Sequence, residues 1–374
     1  MEYIKNSGDL MEKKILIGMN EIVNTIAIYK KELKKMGHEV KTIVAWKNRF
    51  FLNEKYDHVI FENIRDYMGN YLVEKILKHI YLSLKLIMLL FKYINKYNIY
   101  IFIFNKSFLP LRLDYLLLKL LGKIIVSDFR GCDIRHWEAY ESMANKYHVT
   151  SICIDCEYKN TYKCSYTRKK LLAIMSEKFS DIIFTSKIDS QLLSKPFFYI
   201  GIPIELDKYN FKIPKNKIPV IVHAPSNRAI KGTKYILDTL NRLEKDGYKF
   251  KLVLLENQPN EIVRKELSEA DIVIDQLFSI GPAAFSLEAM ASGCAVLTGY
   301  KEEFFPAKCP VVPIAKNNIY EKIKYLLDNK KEIYKYAVVS RRYVEKYHDS
   351  KTVVENLLNI IEGYKTGPLM KTKI

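Results

Sequence analysis

The stretch from Lys13 to Ala45 constrains the fold most. A short apolar run, KKILIG (Lys13 to Gly18), is followed by a helix-period pattern to Lys35, then Gly37, then a second apolar run from Glu39 to Ala45. Two short strands on either side of a helix make a parallel βαβ unit, because the intervening chain is far too long for a hairpin. Parallel strands are buried on both faces, so this half of the chain is a layered α/β structure with helices covering its sheet. The loop after the first strand, Met19 to Asn24, has no glycine-rich fingerprint and gives no sign of a dinucleotide cradle.

The alternation continues. Tyr71 to Tyr97 reads as a long helix, Ile99 to Phe104 as a strand, Leu111 to Leu121 as a helix and Lys123 to Ser127 as a strand. Phe179 to Ser186 is a further strand, and Phe198 to Asp207 a short strand with a Gly-x-Pro turn. Prolines and charge in PKNKIP (Pro214 to Pro219) mark a linker, after which Val220 to His223 opens a second series of strands and helices. At 374 residues the chain fits two domains, expected at 1–212 and 213–345, with a C-terminal helix and tail, 346–374, placed to cross back to the first.

Hydrophobic residues at 49% and charged residues at 27% exclude a disordered or fibrous protein. Six cysteines in so long a chain are no disulfide framework. The start, MEYIKNSGDLMEKKILIG, lacks the apolar core of a secretory leader, so a cytoplasmic protein is expected. A formal charge of +18 calls for an anionic partner. The densest excess lies between Tyr67 and Lys123, where nine Lys and Arg face only Glu74 and Asp114. Within it, Lys78, Lys85 and Lys92 recur at heptad spacing on the long helix, which is too charged to span a bilayer. That helix either packs on the sheet or lies on an anionic membrane surface, with the protein peripheral at the inner face. No aromatic nucleic-acid signature accompanies the charge, so a membrane is favoured over nucleic acid.

Three stretches carry chemistry. In DFRGCDIRHW, at a strand's end, Arg130 and Arg135 suit a phosphate or carboxylate, Asp133 suits a sugar hydroxyl, and Gly131 makes the turn. In HAPSNRAIKGT, after the Val220 strand, Ser226, Asn227, Arg228, Lys231, Gly232 and Thr233 precede an amphipathic helix, an arrangement that fits a diphosphate or else caps a surface helix. In DQLFSIGPAAFSLEAMASGCAV, a strand ends, a turn follows through Gln276, Gly281, Pro282 and Ala283, and a helix opens through Phe285 and Ser286 to Glu288. A carboxylate among such small residues accepts two hydrogen bonds from a ribose diol, or else offsets the helix dipole. Separately, Cys153, Cys156 and Cys164 have the spacing of a metal knuckle, a tentative structural zinc site one ligand short.

The succession HAPSNRAIKGT, SEADIVIDQL and FSLEAMASGCAV resembles the nucleotide-sugar half of retaining GT-B glycosyltransferases, in particular glycosyltransferase family 4. The likeness is motif-level over about His223 to Val296 and weaker elsewhere, through GHEV, FRGCDIR and YIGIPIELDKYNF. It implies two Rossmann-like domains facing each other across a cleft. It also implies transfer of a sugar from a nucleotide diphosphate sugar with retention, without an essential metal, to a glycan or lipid-linked acceptor in surface polysaccharide or glycoconjugate synthesis. By it, Arg228 and Lys231 hold the donor diphosphate, Glu288 the ribose, and the backbone from Gly281 to Ala284 lies against diphosphate or sugar. Two departures accompany it. Ile280 stands where such enzymes commonly carry a second glutamate, and Arg130 stands near the place of a common histidine. A catalytically impaired nucleotide-sugar-binding subunit is the alternative these departures motivate.

Overall fold

The computed structural model describes residues 12–68 and 71–366. The stretch read for a leader lies mostly outside these residues, as does the end of the tail. In chain order the first half runs β1 (Lys14–Met19), α1 (Thr25–Lys35), β2 (Glu39–Trp46), β3 (His58–Phe61), α2 (Ile64–Met68), α3 (Leu72–Tyr93), β4 (Ile99–Ile103), α4 (Asp114–Leu120), β5 (Ile124–Asp128), α5 (Trp137–Lys146), α6 (Tyr166–Phe179) and β6 (Ile182–Phe184). The second half runs β7 (Val220–His223), α7 (Arg228–Lys231), α8 (Thr233–Lys245), β8 (Lys251–Leu254), α9 (Asn260–Leu267), β9 (Ile272–Ile274), α10 (Ala284–Ser292), β10 (Ala295–Thr298), β11 (Val312–Pro313), α11 (Ile319–Asp328), α12 (Lys330–Tyr347) and α13 (Ser350–Thr366).

Two separate sheets result, with strand orders β3-β2-β1-β4-β5-β6 and β11-β10-β9-β7-β8, and every pairing is parallel. In the first sheet the winding reverses between β1 and β4, and in the second between β7 and β9. Ligands of open α/β sheets bind at the carboxyl ends of the strands beside such a reversal. Central strands such as β1, β4 and β9 are apolar on both faces and covered by helices. Ile15, Ile17, Ile101 and Val126 meet α1 and α13 on one side, while Leu16, Tyr100 and Ile125 meet α3 and α4 on the other. The last helix, α13, is built into the first domain: Val353, Val354, Leu357 and Ile361 are fully buried in the cluster that contains Ile15 and Tyr29.

Three expectations change. Phe198 to Asp207 forms no strand, only two isolated bridges, from Phe198 to Phe184 and from Ile204 to Asp349. Pro203 lacks a donor N–H, and Gly201 adopts φ +81, so the chain turns instead of joining the sheet edge. The helix expected from Leu111 starts at Asp114, because Leu111 and Arg112 take φ of 54° and 62°. That turn buries the Arg112 guanidinium against Ser127, Ser176 and the Phe104 carbonyl. The strand β3 has no counterpart in the sequence reading, being a half-buried sheet edge.

Candidate functional site

The site in the second domain is built on the reversal between β7 and β9. β7 ends in His223, which is fully buried; its Nδ1 donates to the Ile274 carbonyl and its Nε2 accepts from the Thr233 hydroxyl. Burial pushes this imidazole down to about 4, so it is a neutral strut. The Asn227 side chain then accepts from Ile230 N and starts the single turn of α7. Gly232 ends it at φ +71, where an added Cβ would stand 2.9 Å from the Leu277 Cβ, so no larger residue fits.

This geometry sets the two cations apart. Lys231 is nearly buried and its Nζ lies 2.5 Å from Asp275 Oδ1, just past β9. The other oxygen of Asp275 accepts from Ser286 Oγ at 2.6 Å, so one buried carboxylate ties α7, β9 and α10 together. Arg228 is exposed, and its guanidinium forms a two-pronged pair with Glu256 at 2.6 and 2.7 Å. Glu288 sits in the second turn of α10, 7% exposed. Asn260 Nδ2 donates to its Oε1 at 3.2 Å, and the Tyr209 hydroxyl bonds to the same carboxyl. Burial raises this carboxyl to about 7 against those hydrogen bonds, well above the ordinary carboxylate range.

A cavity of about 310 Å³ runs between these groups, lined by Ser226, Lys231, Ala283, Phe285 and Glu288. Its far wall comes from the first domain, from Ile22, Val23, Asn48, Phe50 and Phe51. There the Phe50 carbonyl accepts from Asn260 N at 3.0 Å, which fastens this loop to the start of α9. A second cavity, about 370 Å³, occupies the cleft between the domains. Gln276, Ile280, Gly281, Pro282 and Ala283 face Arg130, Gly131 and Arg135 across it. Ala283 lines both cavities, which therefore adjoin.

Thus Ser226, Lys231, Phe285 and Glu288 share one cavity, and Gln276, Gly281, Pro282 and Ala283 share the next with the first-domain turn. The remaining candidates lie elsewhere. Arg228 is held to Glu256 outside the cavity lining. Asn227, Gly232, Thr233 and Ser286 shape the loop from behind through the contacts above. Arg130 reaches the cleft but not as a free cation: it donates to Asp128, to the Tyr29 hydroxyl and to the Gly201 carbonyl. Arg135 pairs with Asp189 at 2.9 Å. Asp133 turns away from the cleft: both its oxygens accept from Arg130 N, and burial raises its carboxyl to about 7. Ile280 is 1% exposed and packs with Tyr140 and Phe304, giving the cleft an apolar wall.

Cys153, Cys156 and Cys164 do not form the ligand set their spacing predicts. Among the described residues no group of three or more His, Cys, Asp or Glu is placed to hold a metal ion. The Cys153 thiol is buried and pushed up to about 11, and Lys169 Nζ donates to Cys164 Sγ at 3.4 Å.

Several residues escaped the sequence reading. Asp275 and Glu256 are the carboxylates that hold the cations, and Asn260 and Tyr209 hold Glu288. Glu21, just after β1, is buried and accepts from Ile26 N, Ala27 N and the Tyr56 hydroxyl, with its carboxyl raised to about 7 by burial. Only the position of Glu21 beyond a strand's carboxyl end marked it in the sequence.

No family model matches the chain, and no curated protein matches it by sequence. Solved structures do resemble it. A sucrose-phosphate synthase from Thermosynechococcus elongatus is 11% identical with a TM-score of 0.65, over 94% of this chain and 98% of that one. WaaG, a glycosyltransferase involved in lipopolysaccharide biosynthesis, is 12% identical with a TM-score of 0.57, over 93% and 99%. A UDP-N-acetylglucosamine 2-epimerase is 14% identical with a TM-score of 0.54, over 96% and 99%. At such identities the likeness is one of fold. Together with the two parallel sheets and the cleft between their carboxyl ends, it makes the chain a GT-B protein with two Rossmann-like domains.

Proposed function

We propose that the protein is a glycosyltransferase that moves a sugar from a nucleotide diphosphate sugar to a glycan or lipid-linked acceptor, with retention of configuration. The observation that carries this is the cavity that places Lys231 and Glu288 in one lining, beside the strand reversal and open to the interdomain cleft. A nucleoside diphosphate needs a cation for its phosphates and an acceptor for its ribose diol, with room for a sugar beyond the phosphates. The Glu288 carboxylate takes two hydrogen bonds from the ribose hydroxyls, which favour its ionised form. Lys231 faces the diphosphate from a position fixed by Asp275, so its charge is in place before the bond breaks. Arg228, exposed, exchanges its pair with Glu256 for the outer phosphate oxygens.

In the transfer step the bond between the anomeric carbon and the leaving phosphate oxygen breaks, and the acceptor oxygen bonds to that carbon on the same face. The acceptor proton passes to the departing phosphate. Lys231 and Arg228 stabilise the charge that develops there, which is where binding energy lowers the barrier. The role of Ile280 and the paired Arg130 is to shape the sugar's surroundings. The same two residues favour the second reading, a subunit that binds nucleotide sugar without transferring it. The two separate in one assay: nucleotide release from a panel of nucleotide sugars, with and without acceptors. Turnover lost in Lys231→Met and Glu288→Ala supports the transferase; binding without turnover in the native protein supports the alternative. Absence of stabilisation by any nucleoside diphosphate would sink both.

A further inference from the structure

α3 has two apolar faces. Leu82, Leu86, Leu90 and Tyr93 are buried against the first sheet. On the opposite side Val73, Leu77, Ile80, Leu84, Met88 and Phe91, spaced three and four residues apart, are exposed by 51 to 68%. At 1.5 Å per residue this stripe is about 27 Å long. A helix that only covers a sheet needs one apolar face. Beside it, over the same sheet face, Leu113, Leu116 and Leu120 are exposed by 49 to 76%.

Glu74 apart, which pairs with Lys78, the charged residues of α3 are lysines. Lys78, Lys85 and Lys92 each follow a stripe residue, Leu77, Leu84 and Phe91, so at 100° per residue they line one flank. Lys85 and Lys92 lie over the rings of Tyr81 and Tyr93, with apolar stems along the helix and ammonium groups at its edge. The two acidic residues of the region offer little to a basic partner. Glu74 pairs with Lys78, and Asp114 is buried, accepting from Ser107 and Phe108 N.

We propose that this outer face of α3, with the leucines beside it, docks in the interface of an anionic lipid bilayer. An apolar stripe sinks among acyl chains while a flank of lysines meets anionic headgroups. A second copy of the chain would bring like-charged flanks together, and a nucleic acid would leave the stripe in water. No helix of the described residues is long and apolar enough to cross a membrane, so α3 lies in the plane of the surface. The docking does not depend on the donor chemistry. What it adds, resting on the proposed function, is the place of the acceptor: Tyr67 bonds to His79 of α3 and stacks on Trp46 at the carboxyl end of β2. Docking therefore holds that end of the first domain beside the lipid, where a lipid-carried acceptor is presented.

The test is sedimentation of the full chain with phosphatidylcholine vesicles, with and without phosphatidylglycerol, across a salt series. Binding to the anionic vesicles, weakened but not abolished by salt, is expected. A Leu77→Ser, Leu84→Ser, Phe91→Ser variant, changed only at exposed positions, should bind at least ~tenfold more weakly. A Lys78→Gln, Lys85→Gln, Lys92→Gln variant should lose the preference for anionic lipid. Phe91→Trp should shift its emission to the blue on vesicles and be quenched by brominated acyl chains. Circular dichroism and stabilisation by nucleoside diphosphate should match the native protein in every variant. No binding at low salt, or binding indifferent to the serine changes, overturns the proposal. So does a native dimer that ignores vesicles and becomes monomeric in the serine variant. If vesicle binding persists while no nucleotide stabilises the chain, the docking stands and the proposed donor chemistry falls.

Discussion

Replacing Glu288 with glutamine changes the stability of this protein in a pH-dependent way that follows from its burial. The carboxyl is raised from an ordinary value of 4.5 to about 7, chiefly because a charge there would lose its water. Such a group binds its proton more tightly folded than unfolded. Its contribution to stability is fully present below the unfolded value and is lost as pH rises through the folded one. Glutamine mimics the protonated form and does not titrate. The unfolded chain gains the free energy of ionisation from about pH 4.5 upward and the folded chain only from about pH 7. The native protein should therefore lose about 2–3 kcal/mol relative to Glu288→Gln between about pH 5 and pH 8.5. Denaturant unfolding of both proteins at several pH values measures this, and taking the difference cancels Glu21 and Asp133, also raised to about 7. A saturating nucleoside diphosphate, by donating its ribose hydroxyls to the ionised carboxylate, should narrow the gap at high pH. A difference that is flat with pH, or that grows toward acid, would refute the assignment of Glu288 as a carboxyl whose charged form burial disfavours.

The two cations should part company on substitution. Lys231→Met leaves Asp275 buried without its ion-pair partner and should cost about 3–5 kcal/mol in unfolding experiments, along with turnover. Arg228→Met removes an exposed pair, so its melting temperature should stay within the range of a surface change while nucleotide release falls. Glu256→Gln frees Arg228 and should tighten nucleoside diphosphate binding severalfold in calorimetry; weaker binding would mean that Glu256 supports the site and does not compete for it. Gly281→Ala puts a Cβ 1.9 Å from the Phe305 ring and should destabilise by about 1–3 kcal/mol, with Phe305→Leu restoring part of the loss.

How much of this was legible in the sequence depends on how local the physics is. The βαβ units were legible because a buried parallel strand must be apolar throughout, as in Ile15 to Ile17 and Ile272 to Ile274. A short edge strand such as His58 to Phe61 obeys no such rule. The one-turn helix Arg228–Lys231 was legible as a cation-bearing loop, since Gly232 and Asn227 act within a few residues of it. The direction each cation takes was not, because Asp275 stands 44 residues from Lys231 and Glu256 stands 28 from Arg228. Arg130 mixes the two cases: Asp128 and Asp133 stand two and three residues from it, but the Tyr29 hydroxyl and the Gly201 carbonyl that complete its hold stand 101 and 71 residues away. The wall that Phe50 and Phe51 give the Lys231–Glu288 cavity belongs to the other domain, and no motif could announce it.

That wall bears on what the site selects. The Lys231 end of the cavity is held by a buried ion pair, a capped turn and a neutral histidine, so on the proposed function a diphosphate would meet charge already in place. The Glu288 end is held partly by Asn260, whose backbone N–H is bonded to the Phe50 carbonyl. Any movement of the domains that breaks this hydrogen bond also alters the surroundings of the Glu288 carboxyl. On the proposed function, nucleotide binding and cleft geometry would thereby be coupled through one asparagine. Asn260→Ala should both raise the Glu288 carboxyl further, since the lost hydrogen bond favoured its charged form, and weaken nucleotide binding most below about pH 7. If the variant instead binds nucleotide like the native protein at every pH, the cleft and the ribose pocket work independently, and the contact with Phe50 is only packing.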